Sequence, residues 1–173
     1  FDQDWAPAWA TEDLFRAVEE ARLKATFFVT HGCSSLEILA QSDRFEMGWH
    51  PNFLPGSSHG DELEAVLDTM TGLVPNAVGV RAHGLVTGTP YLLAYEKRGL
   101  RYDASDLRDG EHDLDVFESW TGLQQIPIFF EDDVHLARGQ ACRMASLELE
   151  EAGLKVLNFH PVLLALNAYD ETG

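Results

Sequence analysis

Two histidines, His50 and His59, border a loop that contains two prolines, a glycine and two serines. His50 follows the apolar run Phe45–Trp49, so it lies where a short buried strand is predicted to end. A loop of this composition can fold back on itself and bring His59 close to His50. Neutral imidazoles that converge in this way commonly hold a zinc-like divalent ion. Such an ion also needs a third protein ligand, preferably a carboxylate, and an open position for water.

Asp2 and Asp4 are the first candidates for that carboxylate. If residues 1–5 are extended, both aspartates point to one side of the strand, while Gln3 points to the other. An Asp-x-Asp pattern is also typical of a capping turn, here before Pro7. The histidine loop favours the chemical interpretation, because carboxylates and imidazoles together form a common ligand set for a divalent ion.

Arg81 and His31 also follow short apolar runs that are predicted to be strands. An arginine at the end of an apolar strand needs an anionic partner, and either Asp2 or Asp4 would serve. The alternative is an arginine side chain that reaches solvent. For His31 the alternative to a functional role is a hydrogen-bonded structural histidine, which is the commoner case at a strand end.

Three adjacent carboxylates, Glu131, Asp132 and Asp133, precede His135. Such a run is often a solvated turn on the protein surface. It could instead supply a carboxylate that orients a histidine through a hydrogen bond. The sequence leaves these two interpretations open, and it leaves the role of His135 open as well.

The elements that would position these side chains alternate along the chain. Apolar runs too short for helices predict strands over 25–30, 45–49, 77–81, 100–103, 125–130 and 154–159. Segments with apolar residues at helical spacing, such as 60–73, lie between the strands. This alternation implies an α/β fold with a mostly parallel sheet and a site at the carboxyl ends of the strands. His160 directly follows the last of these strands.

The composition fits one globular domain over residues 1–173, with 45% hydrophobic and 24% charged residues. A formal charge of −17 argues against nucleic acid and anionic membrane surfaces, which need basic patches, and favours a neutral or weakly cationic substrate. Because no apolar run approaches a membrane span and no signal peptide opens the chain, we expect a cytoplasmic protein. The chain starts at Phe1 inside an apparent strand, so we also expect a few residues upstream of it.

Taken in order, the motifs resemble those of the polysaccharide deacetylases that share the NodB homology domain. The series comprises an aspartate motif, an apolar strand, the histidine loop, an arginine motif and a terminal histidine motif, at residues 1–4, 24–29, 50–59, 81–83 and 158–161. Each motif alone is weak, but their order and their placement at successive strand ends make the combined signal specific. The resemblance implies a distorted (β/α) barrel with fewer than eight repeats.

The resemblance also implies metal-dependent hydrolysis of an N-acetyl or similar amide on an amino sugar or glycan precursor. Its metal ligands correspond to Asp4, His50 and His59, its general base to Asp2 and its general acid to His160. The ligand set suits one zinc ion, and it would also accept nickel, cobalt, manganese or iron.

The remaining assignments that the resemblance supports concern orientation of the base and contact with substrate. Arg81 would orient the general base and keep it ionised. We expect His83, His31 and Trp5 to contact the substrate.

Three features depart from the pattern of the family. Gln3 separates the two aspartates, which are usually adjacent, so the roles of Asp2 and Asp4 could be exchanged. The histidines of the loop are nine positions apart rather than about one helical turn apart. His83 stands where the family usually has proline. These departures indicate a divergent branch, and the resemblance links such a branch to bacterial surface-glycan synthesis rather than to a polymer such as chitin.

Two other functions fit parts of the sequence. The altered motifs would also suit a carbohydrate- or metal-binding module whose catalytic site has decayed. The Asp2-Gln3-Asp4 stretch is similar to the metal-nucleotide motif of glycosyltransferases, but that motif normally follows a nucleotide-binding half, which this sequence does not show. Pro127 within a predicted strand indicates a sheet edge, which would allow a homo-oligomer to form.

Overall fold

The computed structural model describes residues 1–140 and 143–168. The helices are α1 (Ala8–Glu20), α2 (Ser35–Gln41), α3 (Leu63–Leu73), α4 (Thr89–Lys97), α5 (Asp132–Ala137) and α6 (Pro161–Ala165). The strands are β1 (Ala25–Val29), β2 (Phe45–Trp49), β3 (Gly79–Val80), β4 (Tyr102–Asp103), β5 (Phe117–Glu118), β6 (Gln124–Gln125), β7 (Phe130–Glu131) and β8 (Leu157–Asn158). Within the two described ranges, no helix combines the length and the apolar character needed to cross a lipid bilayer.

Six strands form one sheet in the order β1-β2-β3-β4-β6-β5, and β7 pairs with β8 in a second sheet. Neighbouring strands are parallel except for β5 and β6, which are antiparallel. The mostly parallel α/β fold predicted from the alternation of strands and helices is therefore confirmed. Parallel pairing brings the carboxyl ends of β1 to β4 to the same edge of the sheet, where loops can place side chains together.

The first residues of the chain lie between β1 and the end of β8. Asp2 forms a parallel bridge with Phe28 of β1, and the Asp2 backbone N–H donates to the Phe159 oxygen at 3.2 Å. The distorted barrel implied by the resemblance is not confirmed, because the described strands form two sheets and neither is closed. The strands in the second half of the chain have two residues each, and an isolated parallel bridge joins Leu107 to Ile128.

Apolar side chains from the strands, α3 and α4 form the main core beneath the site. The buried members are Val29, Trp49, Leu67, Met70, Val74, Val80, Ala94, Tyr95, Leu100 and Leu123. The packing is especially close at β3, where a Cβ atom on Gly79 would lie only 1.9 Å from the ring of Tyr102. A larger residue at this position would require the Tyr102 ring to move. Arg81 follows β3 directly.

Candidate active site

Asp4 precedes β1 in the sequence, but in space it lies beside the carboxyl end of β1, in a strained backbone turn. Both Asp4 and Trp5 adopt left-handed backbone conformations, with φ angles of 42° and 54°. Such a conformation costs a residue with a Cβ atom roughly 1–2 kcal/mol, so surrounding contacts must hold it. The turn is closed by a hydrogen bond of 2.8 Å from the Ala6 N–H to the Gln3 backbone oxygen. Strain of this kind is concentrated at functional sites in proteins.

The Asp4 carboxylate lies among three imidazoles. Its Oδ1 atom is 2.9 Å from His50 Nε2 and 2.9 Å from His83 Nδ1, and its Oδ2 atom is 3.3 Å from His160 Nε2. Burial alone raises the pKa of Asp4, but hydrogen bonds with these three histidines outweigh burial and hold the pKa well below its usual range. Asp4 therefore stays ionised. Its side chain is 19% exposed, so a small ligand can reach it.

His50 presents its Nε2 atom to Asp4 in an arrangement that needs a cation. His50 Nδ1 lies 2.6 Å from the backbone oxygen of Arg81, and since a carbonyl oxygen only accepts, Nδ1 carries the proton. In the neutral imidazole, Nε2 then has a lone pair that faces Asp4 Oδ1 at 2.9 Å. Two acceptors at this distance require a shared cation, either a second proton or a metal ion. A metal-binding histidine typically donates its other ring N–H to a carbonyl or carboxylate, as His50 does.

Asp4, His50 and His83 form a group in which one ligand atom from each residue lies within 4.8 Å of the others. One carboxylate and two imidazoles suit a zinc-type ion and leave a coordination position open for water or substrate. The donor types, their spacing and the tautomer of His50 all fit a divalent ion at this point.

His59 lies nearby, but backbone groups occupy both of its ring nitrogens. The Asn52 N–H donates to Nδ1 at 3.0 Å, and Nε2 donates to the Thr30 oxygen at 2.7 Å. Burial lowers the pKa of His59, in keeping with a neutral ring. In this arrangement His59, which the sequence places among the metal ligands, offers no free lone pair to an ion. His83, which the sequence assigns to contact with the substrate, contacts the Asp4 carboxylate.

Asp2 is a buried carboxylate whose two oxygens have different partners. Arg81 Nη1 donates to Oδ1 at 3.0 Å, and Asn158 Nδ2 donates to Oδ2 at 2.7 Å. Burial raises the pKa of Asp2, but the positive charges of Arg81, His50, the N-terminus and His160 together outweigh burial and lower the pKa to about 2. Arg81 is itself fixed by the Ala104 oxygen at 2.9 Å and by the Phe28 ring at 4.5 Å. The anionic partner expected for Arg81 is therefore Asp2.

His160 is held by Asp132, the first residue of α5. Asp132 Oδ1 lies 2.6 Å from His160 Nδ1, and Asp132 Oδ2 accepts the His160 backbone N–H at 2.9 Å. Burial lowers the pKa of His160, but hydrogen bonds with Asp132 and Asp4 outweigh it and raise the pKa to about 11. His160 is therefore an imidazolium at neutral pH. His135, whose role the sequence leaves open, pairs with Asp109 at 2.8 Å.

The indole ring of Trp5 forms one wall of the site. Its centroid lies 5.5 Å from that of His59 and 5.2 Å from that of His83, and 39% of the residue remains exposed. His31 is partly buried, and its Nδ1 atom lies 3.1 Å from the Thr30 hydroxyl. Of the residues expected to contact the substrate, Trp5 thus offers an exposed aromatic face, whereas His83 contacts Asp4 directly.

Glu131, whose role the sequence leaves open, and Asn158, which belongs to the terminal histidine motif, join the site. Asn158 Nδ2, which donates to Asp2, also donates to Glu131 Oε1 at 3.0 Å. Burial, followed by the charges of Asp133 and Asp2, raises the pKa of Glu131 to about 7. The signal that could have identified both residues is their position, because Glu131 ends β7 and Asn158 ends β8, beside the residues of the site.

Glu131→Gln is expected to change how stability depends on pH. The pKa of Glu131 rises from 4.5 in the unfolded chain to about 7 in the folded protein. The folded state therefore binds the proton more tightly, and stability is lost as the pH rises through this interval. The full loss corresponds to roughly 3 kcal/mol at most. Relative to wild type, the glutamine variant should gain stability between pH 5 and pH 8.

Urea unfolding of both proteins at pH 5 and pH 8 measures this effect. Glu20→Gln, at an exposed position on α1, controls for the change in net charge. A free-energy difference between wild type and Glu131→Gln that is the same at the two pH values would contradict the expectation.

A large cavity lies away from Asp4. Its volume is about 570 Å³, and its mostly apolar wall includes Phe28, Tyr102 and Phe159. Arg81 lines this cavity and also binds Asp2, so it separates the polar site from the apolar space.

This chain is similar to known proteins both in sequence and in structure. A family model described as WbmS-like polysaccharide deacetylase matches residues 1–172. A crystal structure from Bordetella bronchiseptica, of WbmS, a candidate polysaccharide deacetylase involved in O-antigen biosynthesis, is similar with a TM-score of 0.90 and 32% identity. The alignment covers 98% of this chain and 73% of that chain. The search of curated proteins finds no significant match. The region matched by the family model includes every residue of the site described above.

Proposed function

Because this chain belongs to the WbmS-like polysaccharide deacetylase family, we propose that it removes an N-acetyl or similar acyl group from an amino sugar with the help of one divalent metal ion. The protein in the similar crystal structure is described as involved in O-antigen biosynthesis. We extend this to a substrate class, a precursor of a bacterial surface glycan. The reaction breaks the amide bond with water and yields a carboxylic acid and a free amine.

We assign the metal to Asp4, His50 and His83. The observation that carries this assignment is the contact between His50 Nε2 and Asp4 Oδ1, in which two acceptors face each other at 2.9 Å. Zinc suits the ligands best, and nickel, cobalt, manganese or iron would also be accepted. When bound, such an ion polarises the amide carbonyl and increases the acidity of water.

Asp2 acts as the general base. Its low pKa keeps it ionised at physiological pH, and Arg81 and Asn158 fix the direction of its oxygens. Its Oδ2 atom lies 3.9 Å from His50 Nε2, close enough for water at the site to pass a proton to it. The sequence leaves the roles of Asp2 and Asp4 exchangeable. The contacts favour this order, because Asp4 faces the imidazoles whereas Asp2 faces Arg81.

His160 acts as the general acid. It is protonated at neutral pH, and Asp132 fixes its ring so that Nε2 points toward Asp4. Proton donation to the amide nitrogen lets the amine leave as a neutral group, which an unassisted amide anion cannot do at useful rates. The exposed face of Trp5 provides an apolar surface for the sugar ring, with His31 on the neighbouring loop.

The charge of the protein limits the substrate further. A formal charge of −17 disfavours strongly anionic glycans and favours a neutral acylated sugar. The amine produced by the reaction becomes a cation in water, and the acidic surroundings would stabilise it.

The test combines elemental analysis with an assay for acid release. Wild-type protein should contain about one divalent ion per chain, and Asp4→Ala and His50→Ala should lose it. Wild type loaded with the metal should release acetate from acylated amino sugars, and both variants should lose turnover.

The same measurements distinguish a metal-dependent deacetylase from a binding module whose catalytic site has decayed. Metal binding without acid release from any acylated amino sugar would favour the decayed binding module that the altered motifs suggest. Full turnover in metal-free His50→Ala would contradict the proposed function. Circular dichroism of each variant shows whether its fold is intact.

A further inference from the structure

Gln3, which separates the two aspartates, has a side chain that is fully engaged in the interior. The residue is 2% exposed. Its Oε1 atom accepts the backbone N–H groups of Thr30 at 3.0 Å and of His31 at 3.1 Å. Its Nε2 atom donates to Cys33 Sγ at 3.3 Å. Gln3 thus ties the start of the chain to the loop that follows β1.

Thr30 also binds Trp5, the residue that follows Asp4 in the chain. Its hydroxyl oxygen accepts the backbone N–H of Trp5 at 3.1 Å and contacts Gln3 Oε1 at 3.3 Å. Its backbone oxygen accepts the hydrogen bond from His59. Thr30 is completely buried. The residues on both sides of Asp4 are therefore attached to the same threonine.

These attachments coincide with the strained part of the backbone. Asp4 and Trp5 are consecutive residues in the left-handed conformation, and Gln3 precedes them directly. Without anchors at both ends, the pair would relax toward extended conformations that residues with a Cβ atom prefer. Such a relaxation would rotate the Asp4 carboxylate away from His50 and His83.

We propose that Gln3 and Thr30 are positioning residues that clamp the Asp4–Trp5 turn and thereby hold the Asp4 carboxylate in the metal-binding group. This inference rests on the metal site proposed above. Neither residue contacts the ion or the substrate. Both act through the backbone of Asp4.

Two matched pairs of variants test the clamp. Thr30→Val removes the hydroxyl that accepts the Trp5 N–H, whereas Thr30→Ser retains it. Gln3→Leu removes the acceptor for Thr30 and His31, whereas Gln3→Glu retains it. Affinity for zinc is measured by competition with a chromophoric chelator, which does not depend on turnover. Crystal structures of metal-free wild type and Thr30→Val give the distance between Asp4 Oδ1 and His50 Nε2.

We expect Thr30→Val and Gln3→Leu to weaken zinc binding by about 10- to 100-fold, the usual effect of removing support from a metal ligand. Thr30→Ser and Gln3→Glu, which keep the acceptor oxygens, should retain most of the wild-type affinity for zinc. In metal-free Thr30→Val, the distance from Asp4 Oδ1 to His50 Nε2 should exceed the 2.9 Å of the wild-type contact. A folded Thr30→Val protein with wild-type zinc affinity and an unmoved Asp4 would overturn the proposal.

The design keeps this inference separate from the proposed function. If Gln3→Leu does not fold, the threonine pair decides the result alone. If wild type binds no metal, the proposed function fails, and the position of Asp4 in the two crystal structures still decides whether the clamp exists.

Discussion

His83→Ala is expected to abolish stoichiometric metal binding, whereas His59→Ala is expected to retain it. His83 lies 2.9 Å from Asp4 Oδ1 within the proposed ligand group, and removing a ligand should weaken binding by more than the 10- to 100-fold typical of supporting residues. Both ring nitrogens of His59 bind backbone groups, so His59→Ala should reduce stability and weaken metal binding by no more than about 10-fold. Elemental analysis after reconstitution, with zinc titration, measures both effects.

His112→Ala serves as the matched control for this comparison. His112 pairs with Glu148 at 3.3 Å, so its loss changes a histidine without changing the contacts of Asp4. Metal content and affinity should equal those of wild type. The opposite pattern, with metal lost in His59→Ala and kept in His83→Ala, would support the ligand set predicted from the histidine loop and refute ours.

The second large effect is expected for His160→Gln, which should lower kcat by about 10²- to 10⁴-fold while the metal content stays unchanged. The reason is that the imidazolium held by Asp132 supplies the proton that the departing amine needs. Steady-state kinetics on an acylated amino sugar, together with elemental analysis, provides the measurement.

The leaving group offers an internal control for this role. A phenolic acetate expels a phenolate that needs no proton, so wild type and His160→Gln should hydrolyse it at similar rates. Equal losses on the amide and on the phenolic ester would show that His160 does not act as a general acid. Loss of metal from the variant would point to a ligand role for His160 instead.

The strand ends were predictable from the sequence, and with them much of the site. Short apolar runs ending in polar residues placed His50, Arg81 and His160 near one another, because parallel strands have their carboxyl ends along one edge. The cost of leaving a guanidinium without an anion predicted a partner for Arg81, either Asp2 or Asp4, and the structure pairs it with Asp2. These inferences depend on local patterns and on general rules of sheet topology.

The contacts that distinguish His59 from His83 could not be predicted in this way. Whether an imidazole keeps a free nitrogen depends on which backbone groups the folded loop brings near it, here those of Asn52 and Thr30. The run Glu131–Asp133 was expected either to be a solvated turn or to orient a histidine, and the structure pairs Asp132 with His160. Local patterns could not decide between these two interpretations. Strand β5 is not among the strands predicted from the sequence, because its two residues, Phe117 and Glu118, are both exposed and show no alternation of burial.

The contact between Asp2 and Asn158 determines when the site can form during folding. The hydrogen bond joins residues 156 positions apart, so it closes a loop that includes almost the whole chain. Contacts of such sequence separation form late, after the local elements have already assembled. The general base is therefore oriented only in molecules whose last strand has docked. Partly folded chains would hold the aspartates and histidines without the geometry for hydrolysis, so the appearance of turnover during refolding should follow the recovery of secondary structure.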